Sequence, residues 1–264
     1  MASVEILRGK AASPTANAIL NAIATAMRVA GDRVNLTTEL QGKADWLVLF
    51  GVGAAAHDEA RKRQLEAGGR VLMFDLGYWE RKKVVGNVRM SIDDDHPQRW
   101  LPKTEPEPKR FSNAGIKLRE DFDPNGPIIL VGLGRKSRAY LNEPSWEVRE
   151  FERLKLAYPG RRIIYRPKPG HPAPELVCER NETAPIAELL KGASLAACRH
   201  SNVAVDAVIA GVPFEAIDGA AMFLAGKPFT RANRMDFLQR LAYWQWMPTE
   251  ARQAWKFAKA IVNV

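Results

Sequence analysis

The chain has 264 residues, 46% of them hydrophobic and 26% charged, with two cysteines and a formal charge of +9. It holds no run of about 18 apolar residues, and its start, MASVEILRGK, lacks an apolar stretch behind a basic one. Neither a spanning helix nor a secretory signal is therefore expected, and the default compartment is the cytoplasm, the host's if the chain is viral. Cys178 and Cys198 have neither the number nor the spacing of a disulfide framework or a zinc site, and read as buried thiols. The positive excess favours polyanionic partners, whether nucleic acid, phosphorylated ligands or an anionic membrane surface, without choosing among them. Its cations come in short clusters, among them Arg61-Lys62-Arg63, Arg81-Lys82-Lys83 and Arg135-Lys136, each of which read alone is a solvated face.

In chain order, residues 4–9 read as a strand, 14–29 as a helix with apolar positions at helical spacing, and 45–50 as a buried strand. A polar-faced helix over 54–67 and a strand over 70–75 follow. Prolines and charges then crowd the stretch from Pro97 to Pro127, which reads as a linker or an elaborated surface connection. The alternation resumes with strands at 127–132, 162–166, 194–198 and 213–217, separated by helices at 144–157, 183–190 and 203–210. Strands alternating with helices imply parallel sheets covered on both faces. The expected fold class is therefore α/β with two Rossmann-like domains, residues 1–110 and 127–231, joined by a linker over 111–126. Residues 232–264 read as helix interrupted near Pro248, expected to pack back on the first domain, with Trp244, Trp246 and Trp255 as packing residues.

The strongest local signal spans residues 189–224. A strand ends at Cys198, a polar turn Arg199-His200-Ser201-Asn202 follows, and a helix opens at Val203. The free amides of a helix's first turn, with the positive end of its dipole, form an anion site, and Ser201 or Asn202 can serve as N-cap. Gly211 ends that helix and the next strand delivers Asp218 to the same sheet edge, where open α/β sheets bind ligands. Gly132-Leu133-Gly134-Arg135-Lys136 follows the first strand of the second half and supplies a glycine-rich, cationic phosphate contact, although it completes no known phosphate-loop pattern. His171 and His200 are better placed than His57 for the site, though each is first a satisfied surface histidine. Asp93-Asp94-Asp95-His96 is a possible metal cluster, but three consecutive acids point in different directions and read as a solvated turn.

These residues resemble the capsule-polysaccharide type of GT-B glycosyltransferases. Tyr165-Arg166-Pro167-Lys168-Pro169 is similar to the family's Arg-x-His-Pro segment, with Lys168 in the histidine's place. Ser201 to Asp206, followed by Ala210-Gly211-Val212-Pro213, resembles its Ser/Thr turn, acidic helix and Gly-x-Pro-Val, with Asp206 where glutamate is common. Phe74-Asp75-Leu76-Gly77-Tyr78-Trp79-Glu80-Arg81 is similar to the acidic-Gly-aromatic-Arg segment on the acceptor side. The resemblance implies two domains facing a cleft, and a nucleotide-sugar donor, with a UDP-sugar first in line and no metal required. Gly134, Arg135, Arg166, Lys168, Ser201, Asn202, Asp206 and Asp218 would contact that donor, and Glu215 is an alternative to Asp218 for its hydroxyls. Asp75 is the candidate general base for the acceptor hydroxyl, and a structural cap of the Gly77 turn is its other reading.

Phage DNA glucosyltransferases share this architecture, and the basic charge leans the acceptor narrowly toward hydroxymethylated bases in duplex DNA. Tyr78, Trp79, Arg81, Lys82 and Lys83, with Arg61 to Arg63, would then contact DNA. A surface polysaccharide or glycolipid is the alternative acceptor. A non-catalytic nucleic-acid-binding protein and a sugar-nucleotide epimerase are the other classes, and the chain is expected to act as a monomer.

Overall fold

The computed structural model describes residues 1–9, 12–39, 44–51, 55–79, 86–200 and 202–263. The chain divides into two compact units, one of Met1–Glu105 with Arg240–Val264 and the other of Pro106–Gln239.

The first unit is built on strands β1 (Ser3–Leu7), β2 (Arg33–Thr37), β3 (Trp46–Phe50), β4 (Arg70–Leu76), β5 (Val88–Ile92) and β11 (Gln245–Trp246), with helices α1 (Pro14–Val29), α2 (Ala55–Glu66) and α9 (Ala251–Ile261). Its sheet runs β11-β5-β4-β3-β1-β2. The first four strands are mutually parallel, while β5 runs antiparallel to β4 and β11 antiparallel to β5. The alternation expected from the sequence therefore holds only for part of this sheet, which is mixed. Three strands escape the sequence reading for separate reasons. β2 is an edge strand with mostly exposed positions, so it shows no apolar run. β5 follows a basic stretch and is buried at every position, and β11 has only two residues.

The start of α1 is legible in sequence: Ser13 accepts a hydrogen bond from the Ala16 amide and Pro14 occupies the first turn. Its apolar side, including Ile19, Leu20, Ile23 and Met27, is buried, and α9 packs beside it. The Trp255 ring meets Trp46 edge-on with centroids 5.1 Å apart, and its Nε1–H donates to Asp32 Oδ2 at 2.7 Å. Of the C-terminal segment, Arg240–Val264 belongs to the first unit while residues 232–239 belong to the second, and its tryptophans are core: Trp244, Trp246 and Trp255 are all buried.

The second unit carries β6 (Ile128–Val131), β7 (Ile163–Arg166), β8 (Glu179–Arg180), β9 (Leu195–Cys198) and β10 (Phe214–Ala216) in the order β10-β9-β6-β7-β8, all parallel. Its helices are α3 (Pro108–Asn113), α4 (Arg135–Tyr140), α5 (Trp146–Ala157), α6 (Ile186–Leu189), α7 (Val203–Ala210) and α8 (Arg231–Leu241), the last continuing into the first unit. The core joins Ile128, Leu130 and Tyr165 on the sheet to Trp146, Phe151 and Leu154 on α5. The proline-rich stretch read as a linker lies along this unit, with the Arg119 and Asp121 amides donating to the Ile209 and Ala210 carbonyls at 2.8 Å. Gly211 closes α7 at φ 79°, and a Cβ there would lie 2.5 Å from the Arg119 carbonyl, so only glycine fits. Among the described residues no helix is long and apolar enough to cross a membrane.

Asp32 ties the amino terminus to α9, since its carboxylate takes the Ala2 amide at 2.9 Å, Trp255 Nε1–H and Lys259 Nζ at 3.2 Å. Burial acts to raise the Asp32 pKa, but these hydrogen bonds and the Lys259 charge outweigh it and hold the pKa below its ordinary value. A lowered carboxylate pKa stabilises the fold above the unfolded value near pH 4 and stops doing so as the pH falls through the folded value. Asp32→Asn is expected to lower the urea midpoint at pH 7, with the gap to wild type closing as the pH is brought well below about 4.

Candidate functional site

Parallel pairing delivers the ends of β6, β7, β9 and β10 to one edge of the second unit's sheet, so the loops that follow them are neighbours. After β6 the chain turns through the buried residues Gly132, Leu133 and Gly134 into α4. This loop is anchored from behind by Glu147 of α5, which is fully buried. Glu147 Oε1 accepts the Leu133 amide at 2.9 Å, and the carboxylate pairs with the Arg138 guanidinium. Arg138 also donates to the Pro172 carbonyl at 2.5 Å, which joins α4 to the loop after β7.

The outer side of the same turn carries positive charge. Gly134 is close-packed by Lys168: a Cβ at Gly134 would stand 2.8 Å from Lys168 Cδ and 3.1 Å from its Nζ. The Arg135 amide donates to His171 Nδ1 at 3.3 Å, which leaves that nitrogen unprotonated. Burial, then the charges of Lys168, Arg135 and Arg138, push the His171 pKa below its ordinary value. Arg166 turns its guanidinium back onto the Pro167 carbonyl at 2.9 Å, and its Nε is buried without a hydrogen-bond partner. Among the described residues no carboxylate pairs with Arg135, Lys136, Arg166 or Lys168, whereas Arg138 and Arg199 are both neutralised. The Tyr165 phenol, packed against Gly132, is pushed up to about 12 first by burial and then by Glu147.

The structure therefore brings Gly134, Arg135, Arg166 and Lys168 together. Asp218 stands apart from them in role, because it pairs with Arg199, which also faces Glu143 at 3.5 Å, and has His200 Nδ1 at 4.0 Å. Asn202 and Asp206 lie at the start of α7, with Asn202 at the N-cap position in a helical conformation (φ −58°, ψ −12°). Ser201 lies outside the described residues. Glu215 is engaged by Arg153 and by Tyr158 Oη at 2.5 Å.

In the first unit Asp75 lies at the end of β4, partly exposed, with Oδ1 taking the Leu76 amide at 2.7 Å and Oδ2 taking Arg89 Nη2 at 2.9 Å. Arg89 is buried, and its Nη1 lies 3.0 Å from His96 Nδ1, which Tyr78 Oη also reaches at 3.1 Å. Burial acts against the Arg89 charge, but the charges of Asp75, Tyr78 and Asp95 together with the Asp75 hydrogen bond outweigh it and raise the pKa. Tyr78 and Trp79 are buried, and both amides donate to Gln245 Oε1 on β11. Arg81, Lys82 and Lys83 lie outside the described residues. The acidic run faces arginines, Asp93 with Arg70 and Arg99, and Asp94 and Asp95 with Arg61.

Sequence reasoning missed Arg89, His96 in this role, Gln245, Arg138 and Glu147. Arg89 and Gln245 meet only because β11 returns 156 positions later to pair with β5, in the register Gln245 to Arg89, and no local pattern carries that signal.

Two α/β units with these sheets define the fold class, the GT-B type. Solved structures with this fold include KpsC of Thermosulfurimonas dismutans: its beta Kdo 2,4 transferase matches with a TM-score of 0.57 at 13% identity, over 95% of this chain and 94% of that one. Its beta Kdo 2,7 transferase matches with a TM-score of 0.55, also at 13% identity, over 98% of this chain and 100% of that one. At this identity the likeness is one of fold. No protein-family model matches the chain, and no curated protein matches it significantly in sequence.

Replacing Glu147 with alanine would leave the Arg138 charge and the Leu133 amide without their partner. A loss of about 3–5 kcal/mol in urea unfolding is expected, and a change within about 0.5 kcal/mol would show that the loop is held by other contacts.

Proposed function

We propose that the protein is a glycosyltransferase that moves a sugar from a nucleotide-sugar donor to an acceptor hydroxyl. The observation that carries this reading is the group of cations Arg135, Arg166 and Lys168, with Lys136 next to Arg135 on α4, without carboxylate partners among the described residues at the carboxyl edge of the second unit's parallel sheet. Such a group suits the phosphates of a donor and stabilises the charge that grows on them as the glycosidic bond breaks. His171, held with Nδ1 as acceptor, presents Nε2–H as a further neutral donor. Asn202 and Asp206 at the start of α7, with Ser201 before it, complete the proposed donor contacts, and Asp218 acts chiefly through Arg199. A UDP-sugar is the first donor to test.

Asp75 is the proposed base. Arg89 and the Leu76 amide fix its orientation, and a carboxylate has about four acceptor sites, so positions remain for the acceptor's proton. The acceptor is proposed to be a glycan, in keeping with the sugar transferases that share the fold. A hydroxymethylated DNA base is the second reading, supported by the charge of +9. It is weakened because Arg61 pairs with Asp95, Lys62 with Glu66 and Arg63 with Glu59, so that proposed DNA-contacting cluster is internally neutralised.

Incubation with a panel of nucleotide sugars, with glycan acceptors in one arm and hydroxymethylated duplex DNA in the other, reads the acceptor as added mass. Lys168→Ala and Arg135→Ala are each expected to weaken donor binding about tenfold or more by calorimetry, with the melting temperature unchanged. Equal affinity for every nucleotide sugar in wild type and variants would overturn the donor site. Asp75→Asn is expected to lower kcat by roughly 10²–10⁴ while the donor Kd stays the same.

A further inference from the structure

A second cationic surface lies far in sequence from the donor residues. Helices α1 and α9 border a groove of about 540 Å³ with the buried Ala26 and Trp255 at its floor and the exposed Val29 and Ala30 toward its margin. Volumes of this size hold small amphiphilic ligands. One rim is formed by Arg252, Lys256 and Lys259, which fall on one side of α9 at four- and three-residue spacing. Neither helix contains an aspartate or glutamate, in 14–29 or in 251–261, and Arg28 adds a further cation at the end of α1. Arg252 and Lys256 are exposed and have no carboxylate partner among the described residues. Lys259 is held 5.0 Å over the Trp255 ring and pairs with Asp32, which is itself buried. Val29 is 65% exposed at the groove's margin.

We infer that this face docks on anionic phospholipid, with lipid headgroups at Arg252 and Lys256 and one acyl chain along the floor beside Trp255. The occupant follows from the combination of features. A surface whose exposed cations Arg252 and Lys256 carry no acid partner among the described residues attracts an anionic leaflet through its charge, and the apolar floor offers an acyl chain what a nucleic acid phosphate would not use. Folding brings α1 and α9 together from opposite ends of the sequence, so neither helix alone shows the groove. The inference stands apart from the transferase reading, because none of its residues belongs to the proposed donor or acceptor sites.

The test is sedimentation of the full chain with vesicles of phosphatidylcholine alone or with one-quarter phosphatidylglycerol. Binding is expected only with phosphatidylglycerol and is expected to weaken steeply as salt rises from about 0.1 M toward 0.5 M. The double variant Arg252→Glu, Lys256→Glu should bind at least about 30-fold more weakly, with unchanged circular dichroism and nucleotide-sugar affinity. Phosphatidylglycerol brominated on its acyl chains should quench part of the tryptophan fluorescence, and that part should disappear in Trp255→Phe if the variant melts cooperatively. Equal binding to both vesicles, equal binding by the charge-reversed variant, or quenching that survives in Trp255→Phe would overturn the proposal. Capture of polyglutamate but not vesicles by the same residues would also overturn it and assign the groove to an acidic polypeptide.

Discussion

Glu147 sets the form of the candidate site at the second unit's sheet edge. A carboxylate with no exposure needs hydrogen-bond partners inside the protein, and here the Leu133 amide and the Arg138 guanidinium supply them. Meeting that requirement draws the β6 loop down onto α5 and turns Arg138 inward. On the same short helix Arg135 and Lys136 are then left exposed. One buried pair thus separates a structural arginine from the two cations beside it.

The two units use their strand ends differently. At the end of β4, Asp75, Arg89, His96 and Tyr78 are joined in a mostly buried chain of hydrogen bonds, which fixes their geometry. Around Gly134 and Lys168 the charges repel one another and lack a counter-charge, which costs free energy that an anionic ligand would return. The first arrangement suits orientation of a reacting group, and the second suits capture of phosphate.

The excess of positive charge is likewise uneven. Many cations face acids, including Arg61, Arg70, Arg153, Arg162 and Arg180. The exposed ones among them contribute little to stability, but all of these pairs occupy arginines that a polyanion would otherwise use. Arg135, Lys136, Arg166 and Lys168 on the second unit, and Arg252 and Lys256 on α9, are among the described cations left without such partners.

The sequence by itself determined the elements whose signals are local. Ser13-Pro14 announces α1, the run from Trp46 to Phe50 is a buried strand, and α7 spans 203–210 as its apolar residues and terminal Gly211 require. The proximity of Gly134, Arg135, Arg166 and Lys168 was also readable, because parallel alternation places successive strand ends on one edge. Tertiary structure alone decided which charges are neutralised. Glu147 finding Arg138, Arg61 finding Asp95, Arg89 lying between Asp75 and His96, and α9 meeting α1 all depend on packing across elements. Charge type is written in the sequence, but pairing is a matter of distance, and distance between remote residues is set only when the chain has folded.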